Sequence, residues 1–164
     1  MKNLLEHDPS PYLQQHKNNP VHWKTWTKEN LNLAKKNNKP ILLSIGYASC
    51  HWCHVMAHES FEDKETAEIM NNNFVNIKVD REERPDIDFI FQSSFQLFNQ
   101  SSGGWPLTMF LDENGVPFTG GTYFPKESKH GLPSFKDVLK KVSEIYTKER
   151  EKIINQSNLI KDSL

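Results

Sequence analysis

The chain has 164 residues, of which 36% are hydrophobic and 25% charged, and its 20 basic and 21 acidic side chains leave a net charge of −1. That length predicts one domain with an ample core, and the charge balance argues against a nucleic-acid footprint or a polybasic membrane patch. No segment approaches the ~20 consecutive apolar residues of a membrane span, and residues 1–9 contain no apolar run of signal-peptide length, so the expected compartment is the cytoplasm.

Residues 1–22 are polar and punctuated by Pro9, Pro11 and Pro20, and are expected to form an extended arm lying on a domain that spans 23–150. Trp23, Trp26, Leu33 and Ala34 recur at roughly helical spacing and predict a helix over about 24–38. Pro40 stops it, because the residue before a proline disfavours helical backbone. The apolar run 41–47 reads as a buried strand, and a helix is expected from Cys50 to about His58. Asp63 is the expected N-cap of a further short helix ending near Met70.

Residues 74–80 alternate as a strand should. Pro85 suits the first turn of the next helix, whose apolar face carries Ile87, Ile90, Phe91, Phe95 and Phe98. After Gly103-Gly104, residues 107–111 and 116–123 read as strands joined by the hairpin turn Asp112-Glu113-Asn114-Gly115, with Gly120-Gly121 as a bulge or close approach. Ser134 is the expected cap of a closing helix carrying Phe135, Val138, Leu139, Val142, Ile145 and Tyr146, and 151–164 reads as a helical tail. This order predicts an α/β, thioredoxin-like fold. It has a mixed central sheet flanked by helices, an N-terminal extension, and a helix inserted after the one that follows Cys50.

The chemistry centres on Cys50-His51-Trp52-Cys53, the only cysteine pair, placed directly after an apolar strand. Such a pair in a cytosolic chain points to redox catalysis or metal binding before a structural disulfide. At a helix N-terminus the unpaired N–H groups favour a thiolate. Cys50 is therefore expected to be exposed and to attack a substrate disulfide, and Cys53 to resolve the mixed disulfide. His51 would stabilise the thiolate, and Trp52 would form an apolar rim for a partner.

Two other readings of the motif stand beside this one. Cys50, Cys53, His54 and His58 form a Cys2His2 set that could hold zinc, although one short helix wraps a tetrahedral ion poorly. Residues 50–54 also spell C-x-x-C-H, the haem attachment motif. The redox reading needs no cofactor. Trp105-Pro106 stands immediately before a strand, where thioredoxin-like folds place a cis-proline facing the cysteine pair. The charged stretch Asp80 to Asp86 reads as a solvated loop with mutual ion pairs.

Several segments together resemble the thioredoxin-like N-terminal domain of the spermatogenesis-associated, YyaL-type family. They are Ser10-Pro11-Tyr12-Leu13-Gln14-Gln15-His16, Asn19-Pro20-Val21-His22-Trp23, Cys50-His51-Trp52-Cys53-His54-Val55-Met56, the stretch from Lys78 to Asp86, Gly103-Gly104-Trp105-Pro106-Leu107-Thr108 and Gly120-Gly121-Thr122-Tyr123-Phe124-Pro125. The resemblance implies a thioredoxin fold, a redox centre at Cys50 and Cys53, and a cis-proline at Pro106. Longer members carry a helical barrel after this domain, which makes such a barrel an expected partner. Thioredoxins often place a buried Asp six residues before the first cysteine; here that position is Ser44, leaving Glu59 or Asp80 as candidates for proton transfer.

The function expected is thiol–disulfide oxidoreduction on protein or small-molecule disulfides, coupled to a reductant the sequence does not name. The alternative is an interaction module without redox turnover, in which Trp23, Trp52 and Trp105 form the binding surface.

Overall fold

The computed structural model describes residues 2–129 and 131–163. The apolar run after Pro40 becomes β1 (Ile41–Gly46), an inner strand buried along its whole length. It pairs in parallel with β2 (Val75–Asp80) and antiparallel with β3 (Leu107–Leu111), and β3 pairs antiparallel with β4 (Pro117–Gly121). The sheet order is β2-β1-β3-β4, the mixed thioredoxin-like arrangement expected from the element order. Phe110 pairs with Thr119 and Leu111 with Pro117, so the bulge falls at Phe118 rather than at Gly120-Gly121. Gly120 instead serves a close approach: a Cβ there would lie 2.4 Å from Met109 Sδ and 2.9 Å from the Thr108 carbonyl.

Strand periodicity divides the sheet into two faces. Ile41, Leu43, Ile45, Val75, Ile77, Val79, Leu107, Met109 and Leu111 form one, and α2 (Lys28–Asn37) and α5 (Pro85–Asn99) cover it with Ala34, Ile87, Phe91 and Phe95. The other face carries Leu42 and Phe110 beside Ser44, Asn76, Lys78 and Thr108, all of them buried. Its cover is α1 (Pro11–Gln14), α3 (His51–Met56), α4 (Lys64–Asn73), α6 (Phe135–Lys148) and α7 (Arg150–Ser163).

The N-terminal segment differs from the extended surface arm expected. Ser10 caps the single helical turn α1, and Leu5, Tyr12, Leu13 and Val21 enter the core. The helix predicted from about 24 begins only at Lys28, with Thr27 as its N-cap. Lys24 has another use: its N–H donates to the Asn76 carbonyl and its carbonyl accepts from Lys78 N–H, both at 2.9 Å, covering the outer edge of β2. Trp23 and Trp26 therefore flank a bridge to the sheet and do not share a helix face. Trp23 is wholly buried, packed edge-on to Phe61 at 5.0 Å.

Asp63 caps α4 as expected, accepting from Thr66 N–H at 3.0 Å. Ser134 likewise caps α6. The polar tail is α7, held to the hairpin by Arg150, which donates to Glu113 Oε1 at 2.6 Å, while Tyr146 of α6 donates to Glu113 Oε2 at 2.6 Å. Among the described residues no helix is long and apolar enough to cross a membrane.

Candidate active site

Cys50 ends the loop after β1 and is the N-cap of α3; Cys53 lies one turn in. The two sulfurs form a disulfide across a Cα–Cα separation of 5.3 Å. Cys50 Sγ also accepts the Cys53 N–H at 3.2 Å, so the helix N-terminus points a backbone donor at the sulfur. The expectation of an exposed Cys50 is corrected: it is 3% exposed and Cys53 2%. The bond to Cys53 turns the sulfur inward, into a cluster against which Tyr47, Trp105 and Tyr123 pack.

The helix does not run on unchanged to His58. After Met56 it widens into a π turn, Ala57–Phe61, which delivers Phe61 to the core and leaves Glu59 half-buried. Glu59 accepts a hydrogen bond from the Tyr123 hydroxyl and lies 3.8 Å from Lys129 Nζ. Burial first, then that bond, raises the Tyr123 pKa to about 12.

His51 and Trp52 face outward, Trp52 at 52% exposure. Its ring lies 5.2 Å from His51 and 5.1 Å from Tyr123. Across from it stands Trp105, half-buried and joined to Pro106 by a cis peptide bond. A cleft of about 380 Å3 between them is lined by Trp52, Phe95, Trp105, Thr122 and Tyr123, with Gly103-Gly104 at its side. Trp52 and Trp105 thus line one cleft, whereas Trp23 is wholly buried and is removed from any binding surface.

Asp88 is a site residue that reading the sequence missed. Its Oδ1 accepts from Trp105 Nε1 at 2.9 Å and its Oδ2 from Arg81 Nε at 3.2 Å, while the Arg81 guanidinium stacks 4.4 Å over the Trp105 ring. Gln92 adds bonds to Asp88 and to the Gly104 carbonyl. This network fixes the loop carrying Trp105. Part of the Asp80–Asp86 stretch is the solvated ion-paired loop expected, with Arg84 and Asp86 2.9 Å apart, but Arg81 turns inward to serve the site.

Asp80 is tied to the N-terminal segment. It accepts from Ser10 Oγ at 2.7 Å and from Glu82 N–H at 2.9 Å. Ser44 accepts from Lys78 Nζ at 2.9 Å. That lysine is wholly buried, its Nζ 5.0 Å from the Tyr12 ring centroid and 4.6 Å from those of Trp23 and Phe61. Burial holds its pKa well below the usual lysine value.

The zinc alternative finds no support in this arrangement. The two sulfurs are bonded to each other, His54 Nε2 is hydrogen-bonded to the Ala48 carbonyl at 2.7 Å, and His58 pairs with Glu62 at 3.6 Å. Among the described residues, no three His, Cys, Asp or Glu side chains converge on a point that would hold a metal.

The Thioredox_DsbH family model, described as "Protein of unknown function, DUF255", matches residues 2–164, and the chain belongs to that family. It is 50% identical over 152 residues to Uncharacterized protein B0495.5 of Caenorhabditis elegans, covering 93% of this chain and 21% of that protein. It is 43% identical over 162 residues to Spermatogenesis-associated protein 20 of Homo sapiens, covering 99% of this chain and 20% of the relative. The chain thus spans about a fifth of the length of these curated relatives. Among solved structures, it is similar to one titled DsbH Oxidoreductase (TM-score 0.56, 18% identity, 78% of this chain and 85% of that one). It is also similar to a disulphide isomerase from Xylella fastidiosa Temecula1 (TM-score 0.52, 19% identity, 71% and 88%). At such identities these likenesses establish the thioredoxin-like fold alone.

Proposed function

We propose that this domain is a thiol–disulfide oxidoreductase in which Cys50 attacks and Cys53 resolves. The observation that carries the reading is the disulfide at the N-terminus of α3, set beside an aromatic-rimmed cleft. In the reduced state Cys50 Sγ occupies the N-cap position, where the Cys53 N–H and the helix dipole favour its anion. The thiolate attacks one sulfur of a substrate disulfide and expels the other as a thiolate. Cys53 then attacks Cys50 Sγ, releases the second substrate thiolate and closes the disulfide; the cysteine pair loses two electrons and the substrate gains them. An external dithiol or glutathione-type reductant restores the pair.

Trp52, Trp105 and Tyr123 give the cleft flat apolar walls, suited to an extended disulfide-bearing peptide. The exposed His51, one residue from Cys50, adds charge stabilisation to the thiolate when protonated.

The test is an equilibrium titration of the cysteine pair in glutathione buffers, followed by insulin-type disulfide reduction. A reversible two-electron couple is expected, with a potential near about −270 mV marking a reductant and one near about −120 mV an oxidant. Cys50→Ser should abolish turnover, and Cys53→Ser should trap a mixed disulfide on Cys50. Absence of a reversible couple, or full turnover in Cys50→Ser, would sink the reading and leave a binding module in its place.

A further inference from the structure

The inner side of the disulfide carries groups that attack and resolution, as described so far, leave unused. Gly46 ends β1 directly beneath α3. A Cβ built there would lie 2.7 Å from Cys53 Sγ and 2.5 Å from Tyr12 Oη, so the sulfur and the phenol oxygen both border the space a methyl group would fill. Tyr12 Oη is buried and has no hydrogen-bond partner. A buried orphan hydroxyl is costly, and one beside a sulfur that accepts poorly as a disulfide gains a partner when that sulfur is reduced.

Behind Tyr12 lies the Ser44–Lys78 pair. Ser44 and Gly46 point to the same face of β1, one pleat apart. Lys78 is opposite Ser44 in the parallel register, and its ammonium packs against the Tyr12 ring. Tyr12 and Ser44 meet at Lys78, whose Nζ lies 2.9 Å from Ser44 Oγ and 5.0 Å from the Tyr12 ring centroid; burial and then the Asp80 charge push the Tyr12 pKa upward, and Ser44 opposes that shift.

Resting on the oxidoreductase reading above, we propose that Tyr12 Oη and Ser44 Oγ form the proton path of Cys53, ending on the Lys78 amine. When Cys53 resolves the mixed disulfide, its S–H proton passes to Tyr12 Oη, the Tyr12 proton to Ser44 Oγ, and the Ser44 proton to Lys78 Nζ. The Cys53 thiolate then forms the S–S bond to Cys50 while the substrate thiolate leaves. Lys78 suits the terminal position. Burial lowers its proton affinity, which makes the neutral amine available, and the three surrounding rings stabilise the ammonium once formed.

The other titratable groups near the path are otherwise engaged. His16, edge-on to Tyr12 at 4.9 Å, has its pKa pushed down to about 2, chiefly by burial, so it does not hold a proton at neutral pH. The Asp80 carboxylate is occupied by Ser10 and Glu82.

The experiment uses the reduced 164-residue chain and one equivalent of dithiobis(nitrobenzoate), a chromogenic disulfide. The first thionitrobenzoate is released by Cys50 attack and the second by Cys53 resolution. Tyr12→Phe keeps the ring and removes only the hydroxyl. It should leave the first release rate unchanged and slow the second by about 10- to 100-fold. Ser44→Ala should slow the second release likewise, and Ser44→Thr, which restores a hydroxyl, should recover it. Lys78→Met should match Tyr12→Phe, and if it does not fold the two hydroxyl variants still decide the matter. An unchanged second release in Tyr12→Phe, or equal slowing of both releases, would overturn the proton path. Absence of any second release from the wild-type chain would instead overturn the oxidoreductase reading on which it rests.

Discussion

The two faces of the sheet are built from the same strands and buried to the same degree, yet differ in chemistry. The face under α2 and α5 is aliphatic throughout, a row of Ile, Val, Leu and Met from β1, β2 and β3. The face under α1 and α3 holds Ser44, Asn76, Lys78 and Thr108, each no more than 1% exposed. Burying such groups costs free energy unless each finds a partner. Lys78 has Ser44 and three rings, Asn76 donates to the Met70 carbonyl at 3.0 Å, and Thr108 donates to the Thr122 carbonyl at 3.1 Å. The comparison separates an aliphatic face from a polar one, and the cysteine pair lies on the second.

The largest effect is expected from cutting into the aliphatic face, as in Leu43→Ala at a wholly buried position. It should cost about 2–5 kcal/mol in chemical denaturation and leave the potential of the cysteine pair unaltered. A shift in potential would mean that the two faces are not separable.

Gly46→Ala probes the polar face. Its methyl would meet both Tyr12 Oη and Cys53 Sγ, so a loss of about 1–3 kcal/mol is expected together with a changed potential. A silent substitution would show that the sulfur and the phenol do not crowd this position.

The effect smallest at neutral pH is the acid dependence carried by His16. Its pKa falls from 6.5 to about 2 on folding, so between those values the unfolded chain binds a proton that the folded chain refuses. This contribution is fully retained above pH 6.5 and is lost as pH falls below it, by up to about 1.4 kcal/mol per pH unit. His16→Gln should flatten the decline in urea midpoint between about pH 7 and about pH 5; an unchanged slope would assign the acid sensitivity to other groups.

Hydrophobic periodicity made the sheet legible. The strands at 41–46, 75–80 and 107–111, the caps Asp63 and Ser134, and Pro85 at the first turn of α5 all follow from local rules. The cysteine pair at a helix start was legible too, because a strand, a short loop and a helix suffice to place it. The strand Val75–Asp80 shows where local reading stops. Its alternation sets apolar and polar residues on opposite faces, and the polar Asn76, Lys78 and Asp80 are nonetheless buried at 1%, 1% and 6%.

The second face lies beyond the reach of local patterns. Whether a polar residue meets water or a partner depends on which distant segment covers it, and no local pattern encodes that. The N-terminal residues supply part of the cover, with Ser10 reaching Asp80 70 positions away and Tyr12 lying beside the Gly46 position that also borders Cys53. Asp88 joined the site in the same way, through a bond to Trp105 across 17 positions. Fold class and the position of the cysteine pair are readable from the chain alone, because both rest on short-range periodicity and spacing. The surroundings of that pair were set by contacts between segments that only folding brings together.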